Sequence, residues 1–224
     1  MISSKPETLQ KRAADCRSRE CALTVERPRR GLLLLFLLAL PVACVAETPE
    51  ARQAALDKLL ADVAGLVIAA YWPIRGEPDL RPWLESVRAR GAHCALPVVV
   101  AANAPLEFRS WRPGDRLARG VWNIPVPADG PPVAPQVLIV PVVGFDAGGH
   151  RLGYGGGFYD RTLAAATPRP FAIGVGASVA ALSSIDPQPH DVPMDAIVTE
   201  HGATDFRRQR PTADPTFSMG RKNP

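Results

Sequence analysis

The stretch QVLIVPVVGFDAGGHRLGYGGGFYDR, residues 136–161, contains a strand, a glycine-dense loop and a helix start in succession. Val137 to Val143 is apolar and rich in β-branched residues, which predicts a buried strand. The loop from Gly144 to Gly157 holds seven glycines, and helical spacing returns from Phe158. Backbone N–H groups at a helix N-terminus are unpaired and favour negative charge, and glycine lets such a backbone approach a ligand closely. The stretch therefore predicts an anion-binding site.

Charged residues flank these glycines and favour a phosphate as the anion. Arg151 and Arg161 bracket the loop, and Asp160 lies just inside the predicted helix, where a carboxylate suits a phosphate-bound metal ion. No Gly-Lys-Ser/Thr follows the glycines, so the loop is not a Walker A motif. Phe158 stands where a dinucleotide fingerprint needs its third glycine, so that motif is excluded too. A flexible hairpin turn is the alternative interpretation of the glycines alone.

The alternation of predicted strands and helices gives the fold class. LVIAAYW at 66–72 and Cys94 to Ala101 are buried apolar runs, and a helix from Leu80 to Arg90 joins them into a βαβ unit. The remaining predicted elements are a helix beginning near Pro49, an edge strand at Leu106–Trp111, irregular structure at 123–136, and strands at Phe171–Val175 and Ala196–Thr199. We expect an α/β protein with one domain over residues 47–206, built on an open, mostly parallel sheet with helices on both faces.

Several charged residues are expected near the ends of the predicted strands. In an open parallel sheet, ligands bind beyond the carboxyl ends. Glu77 follows the strand at 66–72, Asp146 and Arg151 follow the strand at 137–143, Asp160 and Arg161 lie at the following helix start, and Asp191 and Asp195 precede the last strand. Taken alone, most of these acids are better explained in ordinary ways: Glu77 as a solvated loop acid, Asp191 as a turn residue, and Asp195 as a cap or strand-edge acid. Their common edge favours one functional site.

Four separated motifs resemble those of the 5-formyltetrahydrofolate cyclo-ligase family, also called methenyltetrahydrofolate synthetases. They are YWPIRGEPDL at 71–80, VWNIPVP at 121–127, GFDAGGHRLGYGGGFYDR at 144–161 and HDVPMDAIVTE at 190–200. The resemblance covers roughly residues 48–204. It implies a carbon–nitrogen ligase of one-carbon metabolism, which uses ATP and Mg²⁺ to cyclise 5-formyltetrahydrofolate to 5,10-methenyltetrahydrofolate. A catalytically impaired relative that binds folate or nucleotide without turnover is the alternative.

The resemblance also implies a role for individual residues. The expected ATP-binding residues are Arg151, Leu152, Gly153, Tyr154, Gly155, Gly156, Gly157, Phe158 and Tyr159, of which Arg151 and Tyr159 are the expected catalytic pair. Asp160 and Asp191 match the acids that hold magnesium. Glu77 matches the acid that binds the pterin end of the folate, and the folate contact also includes Tyr154 and Phe158. Trp122 is expected either to wall the folate pocket or to be a core tryptophan.

The N-terminus departs from the family pattern. The family begins with a basic helix of the form K-x-x-L-R that reaches ATP, and here Lys11 and Arg12 are the candidates, without the leucine. Residues 1–46 also contain the apolar run GLLLLFLLALPVACVA at 31–46. A signal or anchor, a buried helix and a misassigned start are the competing interpretations of that run. Three other departures are Gly156, where the family often has a lysine or another residue, Phe158, where a tyrosine is common, and the absence of a glutamine after the strand corresponding to 171–176.

Charge and cysteine content narrow the class of partner. Residues 1–30 carry eight of the 26 Lys and Arg and four of the 22 Asp and Glu, so the rest of the chain is neutral overall. A nucleic-acid partner is therefore not expected. The four cysteines form no C-x-x-C pair and suggest neither zinc nor disulfides. We expect a cytoplasmic monomer acting on ATP and a reduced folate, with no membrane partner and a disordered tail at 207–224.

Overall fold

The structure is a computed structural model, and it describes residues 49–207. Its α-helices within that range are α1 (Pro49–Leu59), α2 (Arg81–Ala89) and α3 (Phe158–Ala165). The strands of the main sheet are β1 (Val67–Ala69), β2 (His93–Val98), β3 (Glu107–Ser110), β6 (Val137–Pro141), β9 (Phe171–Val175), β10 (Ala196–Thr199) and β11 (Gly202–Asp205). Two small ribbons pair β4 (Leu117–Arg119) with β5 (Pro125–Pro127), and β7 (Gly144–Phe145) with β8 (Arg151–Leu152).

The seven-stranded sheet has the order β11-β10-β9-β6-β1-β2-β3. The five inner strands run parallel, and the two edge strands, β3 and β11, pair antiparallel with their neighbours. The predicted α/β class, with an open and mostly parallel sheet, is confirmed. The edge position predicted for the strand near Leu106 is confirmed as well.

Side chains of successive strand residues enter two separate cores, one on each face of the sheet. Ile68 and Ile139 belong to the first core, and their neighbours Ala69 and Leu138 belong to the second. Helices α1 and α2 cover the first core, and α3 covers the second through Leu163. The prediction of helices on both faces is therefore confirmed.

Helix α2 shows why the sequence forms these elements. Pro82 stands in its first turn, where a missing backbone N–H costs nothing. Trp83, Leu84 and Val87 form one apolar stripe, and all three side chains are fully buried. Burying one such side chain contributes about 1.5–3 kcal/mol, so tertiary packing stabilises this short helix.

The strand order creates a crevice at the centre of the sheet. From β1 the chain proceeds to β2 on one side, whereas β6 pairs with β1 on the other side. The loops that leave the carboxyl ends of β1 and β6 therefore diverge, and ligands of open α/β sheets bind in such a crevice. The first loop, residues 73–79, contains Glu77, and the second leads into the glycine-dense stretch.

Five short strands were not predicted from the sequence. The glycine-dense loop contains β7 and β8, the irregular region at 123–136 contains β5, and β4 and β11 lie in segments to which no element was assigned. These strands have two to four residues each and no continuous apolar run or clear alternation, so the sequence gives little signal for them. These strands form because a partner strand lies beside them.

In the described part of the chain, no helix has the length and apolar character needed to cross a membrane. The predicted N-terminal segment 1–46, with its apolar run, lies outside the described residues, and so does the predicted tail beyond Arg207.

Candidate active site

Asp146 shapes the β7–β8 turn at the start of the glycine-dense stretch. Its buried carboxylate accepts hydrogen bonds at Oδ1 from the backbone N–H groups of Gly148 (2.9 Å) and His150 (3.1 Å). Gly149 completes the turn with φ 81°, a conformation that favours glycine. Asp146 is therefore committed to loop structure, which is the turn interpretation given above for a lone acid.

The backbone after β8 presents open N–H groups. The eight backbone N–H groups of residues 153–160 donate to no acceptor within residues 49–207. Gly157 is the N-cap of α3, has φ 61° and ψ 12°, and no side chain caps the helix. A left-handed residue followed by a helix N-terminus makes a concave set of donors that suits an anion. The predicted anion-binding geometry is present in these residues.

Arg151 and Asp160 form a largely buried ion pair beside these donors. Arg151 Nη2 lies 3.1 Å from Asp160 Oδ2, and the two side chains are only 6% and 17% exposed. Arg151 Nη1 also donates to the carbonyl oxygen of Val192 at 3.1 Å. The guanidinium carbon lies 5.8 Å from the centre of the Tyr159 ring. The structure therefore brings together both expected catalytic residues.

The two expected magnesium ligands flank one contact between α3 and the loop before β10. The backbone N–H of Val192, the residue after Asp191, donates to Asp160 Oδ1 at 3.1 Å. Asp191 Oδ2 accepts the backbone N–H of Gln188 at 2.7 Å. Residues 49–207 contain no cluster of three or more potential metal ligands. Mg²⁺ commonly binds one or two carboxylates together with substrate phosphates and waters, so these two acids fit an ion that arrives with a nucleotide.

Glu77 faces the glycine-dense stretch from the loop after β1. Its Oε2 accepts the backbone N–H of Ile74 at 2.9 Å. Burial raises the pKa of Glu77 to about 7, although the Ile74 hydrogen bond and the charge of Arg75 oppose the increase. Burial also raises the pKa values of Tyr154 and Tyr159, and the charge of Glu77 raises both further. The loop that contains Glu77 contacts this segment through Arg75, whose guanidinium carbon lies 5.0 Å from the centre of the Tyr154 ring.

Two aromatic contacts form the exposed rim of the crevice. Trp122 packs edge-to-face on Phe158, with ring centres 5.8 Å apart. Trp122 is 67% exposed and has φ 55°, so the alternative of a core tryptophan is wrong. On the other side, the guanidinium carbon of Arg75 lies 5.0 Å from the centre of the Tyr154 ring. Large exposed aromatics beside open N–H groups are typical of a binding surface.

The remaining predicted residues fall into three groups. Gly153, Gly155 and Gly156 lie in the segment with the unpaired N–H groups, and Leu152 is the last residue of β8, directly before that segment. Lys11 and Arg12 lie outside the described residues. Asp195 forms an ion pair with Arg169 and accepts a hydrogen bond from the backbone N–H of Ala172, so it has a structural role. Arg75 was not predicted from the sequence, although it is part of the motif that contains Glu77.

With this geometry established, comparison with known proteins is informative. The model of the 5-formyltetrahydrofolate cyclo-ligase family matches residues 39–200. The chain belongs to that family. It is 34% identical over 183 residues to the 5-formyltetrahydrofolate cyclo-ligase of Mycolicibacterium smegmatis. The matched region covers 76% of this chain and 91% of the relative. The corresponding protein of Escherichia coli is 33% identical over 139 residues, covering 59% of this chain and 76% of the relative.

Solved structures agree with this family membership. The 5,10-methenyltetrahydrofolate synthetase of Aquifex aeolicus superposes with a TM-score of 0.62 at 28% identity, covering 75% of this chain and 86% of that chain. The 5,10-methenyltetrahydrofolate synthetase of Mycoplasma pneumoniae has a TM-score of 0.59 at 19% identity, covering 88% and 99%. At that lower identity the second comparison supports the fold alone.

Proposed function

We propose that this member of the family is an active ligase that cyclises 5-formyltetrahydrofolate to 5,10-methenyltetrahydrofolate with hydrolysis of ATP to ADP and phosphate. The observation that carries the proposal is the row of unpaired N–H groups at 153–160, to which the contact between Arg75 and Tyr154 joins the loop that contains Glu77. One side of the crevice suits the phosphates of ATP. On the other side, the Glu77 carboxylate can accept hydrogen bonds from the N–H groups of the pterin ring. Family membership supports the same pair of substrates.

The chemistry needs positioning and charge neutralisation rather than a protein nucleophile. The formyl oxygen attacks the γ-phosphorus of ATP, and ADP leaves. The neighbouring folate nitrogen then attacks the activated carbon, loses its proton, and phosphate departs with the former formyl oxygen as the ring closes. In-line positioning and stabilisation of phosphoryl charge are the main protein contributions to such a reaction.

Each group of residues has a role in this proposal. The open backbone N–H groups and the Arg151 guanidinium neutralise phosphate charge, and the Tyr159 hydroxyl lies beside them. Glu77 binds the pterin end, while Trp122, Phe158 and Tyr154 pack against the folate. Asp160 and Asp191 would hold Mg²⁺, which supplies further charge neutralisation when it is bound with ATP. We further propose a monomer in the cytoplasm, where ATP and reduced folates are available.

The second candidate is a protein that binds folate or nucleotide without turnover. One observation favours it, because the Arg151 guanidinium is 6% exposed and already bonded to Asp160 and Val192. In an active enzyme, this guanidinium must still direct one of its remaining N–H groups at the phosphate.

A single assay separates the two candidates. Purified full-length protein is mixed with 5-formyltetrahydrofolate, ATP and Mg²⁺, and the absorbance of the methenyl product is followed. Activity that needs both ATP and Mg²⁺, and stops with a non-hydrolysable ATP analogue, supports the ligase. Binding of the analogue by calorimetry without product formation supports the second candidate. Failure to bind either substrate would refute both.

A further inference from the structure

We infer that Arg161 is a positioning residue that holds the phosphate-binding backbone in shape from behind, instead of touching the phosphate. The inference rests on the proposed function, because it concerns how the segment at 153–160 meets ATP. It also gives Arg161 a different role from the expected one, in which Arg151 and Arg161 both flank the bound phosphate as cations.

The guanidinium of Arg161 is engaged on the inner side of the segment. Its Nη2 donates to the carbonyl oxygen of Gly156 at 2.6 Å. Its Nε makes a longer contact of 3.5 Å with the carbonyl oxygen of Ala104, in the loop that follows β2. Its guanidinium carbon lies 5.0 Å from the centre of the Phe158 ring. One side chain therefore joins two separate loops and the ring at the start of α3.

The bond to Gly156 fixes the direction of the next N–H group. In a trans peptide, the carbonyl of one residue and the N–H of the following residue point in opposite directions. The peptide between Gly156 and Gly157 is trans. Because Arg161 draws the Gly156 oxygen inward, the N–H of Gly157 points away from Arg161. That N–H has no acceptor among the described residues, and it lies at the N-cap of α3.

Gly156 and Gly157 have no side chain, and this leaves room for the Arg161 guanidinium and the Phe158 ring. A Cβ atom on Gly157 would lie 2.8 Å from Nη1 of Arg161, and Gly157 also has φ 61°. A Cβ atom on Gly156 would lie 2.8 Å from the Phe158 ring. By contrast, a Cβ atom on Gly153 or Gly155 would meet no atom within 4 Å. The side chains of Phe158 and Arg161 therefore pack against the backbone at Gly156 and Gly157, whereas no atom packs against the Cβ positions of Gly153 and Gly155.

The variant Arg161→Lys distinguishes a positioning role of Arg161 from direct binding of the phosphate. A direct phosphate contact needs mainly a positive charge, which Lys supplies. Holding a carbonyl while stacking on a ring and reaching a second loop needs the planar, multidentate guanidinium. Arg161→Lys is therefore expected to behave like Arg161→Ala if Arg161 positions the backbone, and like the wild type if it binds phosphate as a charge.

The experiment measures binding of a non-hydrolysable ATP analogue by calorimetry, together with the KM values for ATP and folate. Both Arg161→Lys and Arg161→Ala are expected to raise the Kd of the analogue at least roughly tenfold, as loss of a charged hydrogen bond would. The folate KM is expected to rise less than the ATP KM. Millimolar guanidinium ion should partly restore analogue binding to Arg161→Ala, whereas sodium chloride at equal ionic strength should not.

Arg90→Ala is the matched control. Arg90 also donates to a backbone carbonyl, that of Leu60, and pairs with Asp57, but it follows α2 and lies away from the glycine-dense stretch. It should leave the Kd of the analogue unchanged. Wild-type Kd in Arg161→Lys, or an unchanged Kd in Arg161→Ala, would overturn the inference alone. A wild-type protein that fails to bind the analogue would overturn the proposed function with it.

Discussion

Two buried arginines in this protein make almost the same set of bonds. Arg52, in α1, donates to the carbonyl oxygen of Gly176 at 3.1 Å and pairs with Glu200 at 2.9 Å. Arg151, in β8, donates to the carbonyl oxygen of Val192 at 3.1 Å and pairs with Asp160 at 3.1 Å. Each arginine side chain is 6% exposed.

The two pairs differ in what surrounds the carboxylate. Glu200 is 5% exposed and also accepts hydrogen bonds from the backbone N–H and the hydroxyl of Ser178, so it is enclosed by protein donors. Asp160 is 17% exposed and lies at the start of α3, among backbone N–H groups that have no acceptor in residues 49–207. The first pair fixes α1 to the ends of β9 and β10. The second pair lies where a ligand can still change its partners.

The comparison teaches that an arginine–carboxylate pair has no fixed role of its own. Burial makes both pairs costly to break, because each leaves an uncompensated charge. Only the open donors and the exposed aromatic rings beside the second pair indicate function. Changes at the first pair should therefore affect stability, and changes at the second should affect turnover.

The largest effect is expected for Glu200→Gln, which leaves the buried Arg52 charge without its partner. The free energy of unfolding should fall by about 3–5 kcal/mol, as measured by urea denaturation. Glu107→Gln breaks the more exposed pair with Arg109 and should cost less than about 1 kcal/mol. Equal costs for the two variants would contradict the structural role of Glu200.

The pH dependence of stability offers a second test of that pair. Burial alone would raise the pKa of Glu200, but the hydrogen bonds from Ser178 and the charge of Arg52 bring it below its ordinary value. The stabilisation is therefore present above the unfolded-state pKa and is lost as the pH falls through the folded-state pKa. In Glu200→Gln, this acid-induced loss should be smaller.

The next largest effect is expected for Arg151→Ala, which removes positive charge from the phosphate-binding segment. Turnover should fall roughly 100- to 1,000-fold, as for loss of a donor that stabilises transition-state charge. Arg52→Ala is the control, and its turnover per folded molecule should match the wild type. Similar turnover losses in both variants would mean that the two pairs have the same structural role.

Asp160→Asn tests whether Asp160 binds magnesium or only holds Arg151. Removing the ligand charge should raise the Mg²⁺ concentration needed for half-maximal turnover by roughly 10- to 100-fold. Asp146→Asn is a useful comparison, because Asp146 forms the β7–β8 turn and should leave the magnesium requirement unchanged. Reduced turnover with an unchanged magnesium requirement would restrict Asp160 to its bond with Arg151.

Glu77→Gln should affect folate more than ATP. Loss of charge-assisted hydrogen bonds to the pterin, worth about 1.5–3 kcal/mol, should raise the folate KM roughly 10- to 100-fold and leave the ATP KM near its wild-type value. Comparable increases in both KM values would indicate a structural role for Glu77.

The wild-type folate KM should also depend on pH through Glu77. Because burial raises the pKa of Glu77 to about 7, the ionised form that accepts pterin hydrogen bonds becomes populated as the pH rises through 7. The folate KM should fall over that range, and the Gln variant should lack this dependence. The same raised pKa means that Glu77 contributes less to stability as the pH rises from about 4.5 to 7.

The smallest effect is expected for Arg75→Ala, which removes the contact with the Tyr154 ring. Loss of this exposed cation–π contact, worth about 0.5–1 kcal/mol, should raise the folate KM a few-fold. Tyr154→Phe keeps the ring and should change little, whereas Tyr154→Leu should raise the folate KM more than Arg75→Ala, because it also removes the ring that packs against the folate. If the two losses add in the double variant Arg75→Ala/Tyr154→Leu, the residues are not coupled.

The sequence by itself determined the secondary elements with a clear period and the segments of the site. The strand beginning at Val137, the strands at 171–175 and 196–199 and the helix beginning near Leu80 agree closely with the structure. Runs of four or more apolar or periodic residues with clear boundaries show their local structure directly. The motifs around Glu77 and Gly155 also indicated the family, because the residues, order and spacing of the motifs can be read from the sequence without knowledge of the fold.

Only the tertiary structure decided which atoms meet. The central position of β1 brings the loop that contains Arg75 and Glu77 to Tyr154, although the two segments are about 80 residues apart in sequence. The tertiary structure also decided that Arg161 bonds the carbonyl oxygen of Gly156 and that Trp122 is exposed. A residue's type and spacing set its local backbone, but the partner of a long charged or aromatic side chain depends on strand order and loop path.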